Sequence, residues 1–104
     1  MAAEHVNLYA LEIRDPARYQ QYREAMEPLL ISAGGRFGYD FEVSRVLRSE
    51  VDFAIHRVFT ICFPSEHASR TFFERPDYLA VRAAYFEGSV GGRVKRACLT
   101  RSQP

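Results

Sequence analysis

The sequence predicts an α+β fold with the element order β-α-β-β-α-(α)-β. Three observations carry that expectation. A largely apolar run, Val6 to Ile13, is followed at once by a segment of helical period. Two stretches of period two then flank a polar turn at Ser49–Asp52. A second helical segment and a final strand-like stretch complete the 104 residues. That length fits one compact domain over residues 1–104, with a core spanning 6–101.

The elements follow in order. Val6 to Ile13 is nearly continuous in apolar residues, which suits a central strand buried on both faces. Asp15 is a good N-cap and Pro16 belongs at the first helical position. Behind them Tyr19, Tyr22, Met26, Leu29, Leu30 and Ala33 recur at helical spacing. Pro28 cannot donate to the Glu24 carbonyl, so a kink or an early end is expected there, and Gly34-Gly35 stops the helix.

Arg36 to Leu47 changes to a period of two, with Phe37, Tyr39, Phe41 and Val43 alternating with Gly38, Asp40, Glu42 and Ser44. A third strand is expected from Phe53 to Phe63, closed by Pro64-Ser65. Ser65 can cap a helix from Glu66 to about Arg75, which Pro76 interrupts. Asp77 to Phe86 reads as a further helix with Tyr78, Leu79, Val81 and Tyr85 toward the core. Gly91-Gly92 leads into a last strand, Arg93 to Thr100. This is the split βαβ, or ferredoxin-like, plan. Its helices cover one sheet face, and an apolar second face calls for a partner, most simply a second copy of the chain.

Composition excludes several classes. With 47% hydrophobic and 26% charged residues the chain is neither disordered nor fibrous. A net charge of +1 argues against an electrostatic grip by the whole domain on nucleic acid or an anionic membrane. No stretch reaches the ~18–20 apolar residues that span a bilayer, and the first residues lack a signal-peptide pattern. Cys62 and Cys98 both fall in strand-like segments, which predicts reduced, packed thiols in a cytoplasmic protein. Eight Phe and six Tyr, with no Trp, point to rings as the main packing units.

Pairing strands two and three around the Ser49–Asp52 turn sets Phe37 near Phe63, Tyr39 near Ile61 and Phe41 near Phe59. That aromatic face is assigned to the helices. The other face then gathers Asp40, Glu42, Ser44, His56, Val58, Thr60 and Cys62. Diagonal neighbours lie ~7–8 Å apart, which brings Glu42 within reach of His56.

Asp15-Pro16 with Tyr19 and Tyr22, then Gly34-Gly35-Arg36-Phe37, then Phe63-Pro64-Ser65, then Pro76-Asp77-Tyr78 with Arg82 occur in a telling order. In these phrases the chain resembles the bacterial "domain of unknown function 1330" family over roughly residues 6 to 90. The resemblance implies a dimeric α+β barrel, two ferredoxin-like protomers packed sheet against sheet. It implies no particular reaction, although the wider superfamily includes cofactor-independent monooxygenases, small isomerases and haem proteins. Cys62 stands where an acidic residue is often found, and Arg93-Val94-Lys95-Arg96 is more basic than usual.

The chemistry-bearing residues are read as follows. His56 is the candidate general acid or base, with Glu42 or Asp40 to orient it. Its alternative is a barrel histidine satisfied by a carboxylate or a backbone carbonyl. Thr60, Arg57 and Tyr39 are the candidate substrate contacts; Arg57 suits an acidic group, or is simply a strand-end surface arginine. Metal binding is not expected, because His5, His56 and His67 lie on separate elements without ligand spacing. No cofactor is expected: neither glycine pair matches a phosphate loop, and nothing signals haem. Cys62 lies six residues beyond His56 on one strand, ~20 Å away, which excludes a direct pair.

Arg36-Phe37-Gly38-Tyr39-Asp40-Phe41 echoes an RNA-recognition motif but falls on the second strand, with Asp40 and Glu42 in place of apolar groups. RNA is therefore not expected, and the basic Arg93, Lys95, Arg96 and Arg101 read equally as edge-strand protection. The reading that results is a homodimer binding or transforming a small aromatic or acidic molecule in a cavity beside the sheet. If an enzyme, it is monooxygenase-like or isomerase-like by resemblance. The alternative is a non-catalytic dimerisation or partner-interaction module.

Overall fold

The computed structural model describes the backbone of residues 3–102 and the side chains of residues 4–96. The sheet strands are β1 (Ala3–Ile13), β2 (Arg36–Glu42), β3 (Arg57–Phe63) and β4 (Val90–Ser102). They lie in the order β2-β3-β1-β4, and every neighbouring pair is antiparallel. The apolar first strand is central, as expected: Val6 and Ala10 are buried on one face, Asn7 and Leu11 on the other.

Helix α1 (Pro16–Ser32) starts where the Asp15 side chain accepts the Arg18 amide at 3.1 Å. It does not end early at Pro28. That residue is exposed, so the carbonyl it leaves unpaired can be hydrated. The helix stops at Gly34, whose φ of +83° suits a residue without a Cβ. Helix α2 (Glu66–Phe73) is capped by Ser65, which accepts the Ala68 amide at 3.0 Å. Helix α3 (Pro76–Val81) runs on into a wider turn over Arg82–Phe86, closed by a Glu87 amide to Arg82 carbonyl bond of 3.2 Å. Tyr78 is buried and Val81 and Tyr85 pack on the core as expected, whereas Leu79 is exposed.

All helices lie on one sheet face. Between them and the sheet sits a core of Leu11, Tyr19, Tyr22, Met26, Leu30, Phe59, Ile61, Phe63, Phe72 and Tyr78.

The β2–β3 hairpin departs from the expected register. Phe37 pairs with Ile61, but Asp40 then pairs with Phe59, Phe41 with Val58 and Glu42 with Arg57. Three steps on β2 match two on β3, a β-bulge at Gly38-Tyr39. A bulge reverses which side chains face each layer. Before it, Phe37 faces the helices; after it, Asp40 and Glu42 do, while Tyr39 and Phe41 turn to the open face. The two rings stack there at 6.0 Å and are 64% and 55% exposed.

The strands are also shorter than expected. Only the Val43 amide to His56 carbonyl bond extends the ladder beyond Glu42. The 43–56 connection leaves the hairpin to lay Phe53 against Gly92 of β4 and Glu50 beside Arg96 at 3.8 Å.

Candidate functional site

The bulge explains the first charged cluster. Gly38 has no room for a side chain, since a Cβ there would meet the Thr60 hydroxyl and the Cys62 sulfur. The Thr60 Oγ1 accepts the Tyr39 amide at 2.8 Å, which fixes the extra residue. Asp40, turned inward, accepts from both guanidinium groups around it. Arg23 of α1 donates twice at 3.1 Å, and Arg57 donates at 2.8 and 2.9 Å. Burial opposes ionisation of Asp40, but the bonds from Arg57 and Arg23 outweigh it and hold the carboxyl below its usual range. Arg23 itself is only 8% exposed and lies 4.0 Å over the Phe37 ring and 4.5 Å over that of Phe59.

The residues singled out by sequence are thus divided between faces. Glu42, His56 and Arg57 share a shallow recess of about 290 Å³ with Ile13, Pro16 and Tyr19. His56 Nδ1 accepts the Ile13 amide at 2.9 Å, which places a neutral ring's proton on Nε2. The expected grouping of Asp40, Glu42 and His56 on the open face with Thr60 is corrected: the bulge turns Asp40 and Glu42 to the helix side, and His56, which precedes β3, is held by the Ile13 amide in the recess. Thr60 and Tyr39 lie on that open face and are joined to each other. Asp40, with its oxygens already on two arginines, is an ion-pair partner and poorly suited to accept a substrate proton.

A second space fits the expected cavity beside the sheet, but none of the expected site residues lines it. Between the sheet and helices α1 and α3 lies a cavity of about 280 Å³. Tyr9, Phe37, Phe59, Phe73, Phe86, Met26 and Ile61 give it apolar walls. Arg82, Arg93 and Lys95 bring positive charge, and Arg23 reaches it from the Asp40 cluster. No carboxylate or imidazole belongs to the lining. Arg82 Nε lies 3.4 Å from Glu87 but is poorly aligned and has no hydrogen-bond partner among the described residues.

Two phenols complete it. The Tyr22 and Tyr78 hydroxyls are 2.8 Å apart and buried. Burial raises the pKa of each, so both stay protonated at neutral pH. The signal missed in the sequence is the spacing of Arg93 and Lys95. Residues two apart on a strand share a face, and these sit opposite Leu11 and Tyr9, which face the helices.

The other expectations fall as follows. Cys62 is a free, buried thiol, whereas the side chains of Cys98 and Arg101 lie outside the described residues. Among the described residues no group of His, Cys, Asp and Glu could hold a metal ion, and no helix is long and apolar enough to cross a membrane.

The family model for the domain of unknown function 1330 (DUF1330) matches residues 7–91. The chain belongs to the DUF1330 family. No curated protein matches it. Among solved structures it is similar to a protein of unknown function from Rhodopseudomonas palustris, with a TM-score of 0.79 and 16% identity over 100% of this chain and 86% of that one. It is similar to a dabb family protein with a ferredoxin-like fold from Mesorhizobium loti, TM-score 0.64 and 12% identity, covering 98% of each chain. A dimeric ferredoxin-like protein of unknown function from Thermobifida fusca gives a TM-score of 0.58 at 16% identity, over 92% and 90% of the two chains. At such identities the likeness is one of fold, and the ferredoxin-like expectation for this DUF1330 chain is met.

Proposed function

We propose that the protein is a cytoplasmic homodimer in which each protomer binds a small aromatic or acidic molecule in the helix–sheet cavity. The observation that carries this is the cavity's lining: aromatic walls, with Arg82, Arg93 and Lys95 and no acidic residue. Such a combination of apolar surface and few polar groups is the usual character of a ligand site. The cavity, rather than the recess at His56, is the better candidate because its apolar walls can desolvate a ligand. A proton-abstracting reaction would find neither carboxylate nor imidazole there, which favours binding over monooxygenase- or isomerase-type turnover. The catalytic roles of His56, Glu42 and Asp40, and contacts from Thr60, Arg57 and Tyr39, give way to this reading.

The dimer is supported by the exposed, stacked Tyr39 and Phe41 on the uncovered sheet face, and by the dimeric description of the Thermobifida fusca protein. The non-catalytic dimerisation module remains the second reading, since the same stacked pair favours it whether or not a ligand binds.

A thermal-shift panel of benzoate, phenylacetate, cinnamate and hexanoate, each beside its neutral amide, tests the binding. At least one compound is expected to raise the melting temperature; silence from the whole panel leaves the dimerisation module as the function. Light scattering tests assembly. Twice the 12.0 kDa protomer mass is expected for the wild type, and a Tyr39→Ser/Phe41→Ser variant should fall to the monomer mass at micromolar concentration.

A further inference from the structure

We infer that the cavity takes an apolar monocarboxylate and that the Tyr22–Tyr78 hydroxyl pair donates a hydrogen bond to its carboxylate. The inference rests on the binding reading above and specifies its ligand. Two phenolic hydroxyls carry two protons, and their mutual bond of 2.8 Å engages one of them. Neither oxygen has a further hydrogen-bond partner among the described residues. The second proton is left for whatever occupies the cavity that both residues line. Because burial keeps both phenols protonated, the pair is a donor and not a base.

Positive charge gathers at the same end. Arg82 and Arg93 both act electrostatically on Tyr78, opposed by the Glu87 carboxylate beside Arg82. Arg93 also lies 6.0 Å from the Phe86 ring, which in turn packs 5.0 Å from Tyr22. Arg82 Nε is buried there without a hydrogen-bond partner. Elsewhere the walls are largely apolar, with Met26, Phe37, Ile61 and Phe73; Arg23, which also lines the cavity over Phe37, already has its charge answered by Asp40, and Lys95 lies exposed on β4. A ligand matching this polarity has an anionic head and an apolar body.

Size and donor count choose the head. The volume of about 280 Å³ falls at the bottom of the ~300–1,000 Å³ range of ligand pockets, so the molecule is small. A carboxylate can accept the phenolic proton at one oxygen and a guanidinium N–H at the other. A neutral ligand would add no counter-ion for Arg93, which is exposed and has no carboxylate within ion-pair distance among the described residues, and none beyond the poorly aligned Glu87 for the half-buried Arg82.

Isothermal titration of the same four carboxylates and their amides into the wild type, Tyr22→Phe/Tyr78→Phe and Arg93→Met tests this. The best carboxylate is expected to bind the wild type at least about tenfold more tightly than its amide. The double variant, which removes both phenolic protons, should weaken that carboxylate about tenfold while changing the amide less than about twofold. Arg93→Met should reduce the preference for charge, and keeps the test decisive if the double variant fails to fold by circular dichroism. Equal binding of acid and amide, or an unchanged carboxylate affinity in a folded variant, overturns the inference while leaving the cavity as a binding site. Failure of every compound to bind overturns both.

Discussion

Two neighbouring parts of the helix–sheet layer carry arginines, and they differ in one respect. At the bulge, Arg23 and Arg57 share the Asp40 carboxylate through four hydrogen bonds. At the cavity, Arg93 and Lys95 have no carboxylate within ion-pair distance among the described residues, and Arg82 has only a poorly aligned Glu87. The first arrangement is self-contained and holds the fold. The second is open and suited to an anion from outside. Residue type alone does not distinguish them; what matters is whether the chain supplies the counter-charge.

Substitutions sharpen that contrast. The largest effect is expected from Asp40→Ala, which leaves Arg23 charged at 10% side-chain exposure without an anionic partner, its bond to the Tyr19 hydroxyl alone remaining. Breaking a fully buried pair costs about 3–5 kcal/mol; because Asp40 is 32% exposed and Arg57 stays hydrated, about 2–3 kcal/mol is expected by urea unfolding. At the cavity the same measurement on Arg93→Met or Lys95→Met should stay within about 0.5 kcal/mol of the wild type. Comparable losses at both places would erase the distinction.

Acidity gives a second handle. The folded-state pKa of Asp40 lies below its unfolded value, so its contribution is complete above the usual carboxylate value of about 3.9. It is lost as pH falls through the lowered folded value. The stability gap between wild type and Asp40→Ala should therefore be flat from about pH 5 to 8 and narrow below about pH 4. A gap that widens on acidification contradicts the clamp.

Gly38→Val asks whether the bulge itself selects the faces. Its side chain would collide with the Thr60 hydroxyl, and a loss of about 1–3 kcal/mol is expected. Wild-type stability would mean that the hairpin tolerates the regular register.

These cases also indicate what was legible in the sequence. The central strand, the Asp15 and Ser65 caps and the Gly34 stop each depend on a few adjacent residues, and all lie where local chemistry places them. The bulge does not. Arg36 to Val43 alternates without a break, and an inserted residue changes the layer each side chain faces without altering that alternation. Gly38 was its one local sign. Asp40 and Tyr39 consequently exchanged faces with respect to expectation, and the His56-centred site lost its grouping. The cavity's lining was hidden for another reason. Its charges come from β4, where they also resemble edge protection, and from a turn wider than an α-helix, which the 3.6 period does not reveal.

The most direct measurement is a crystal structure of the protein with phenylacetate. The account predicts its ring between Met26, Phe37, Ile61 and Phe73, and its carboxylate on Arg93 and the Tyr22–Tyr78 pair. Phenylacetate seated instead at the Glu42–His56 recess or on the open sheet face, with the cavity empty at saturating concentration, would contradict it.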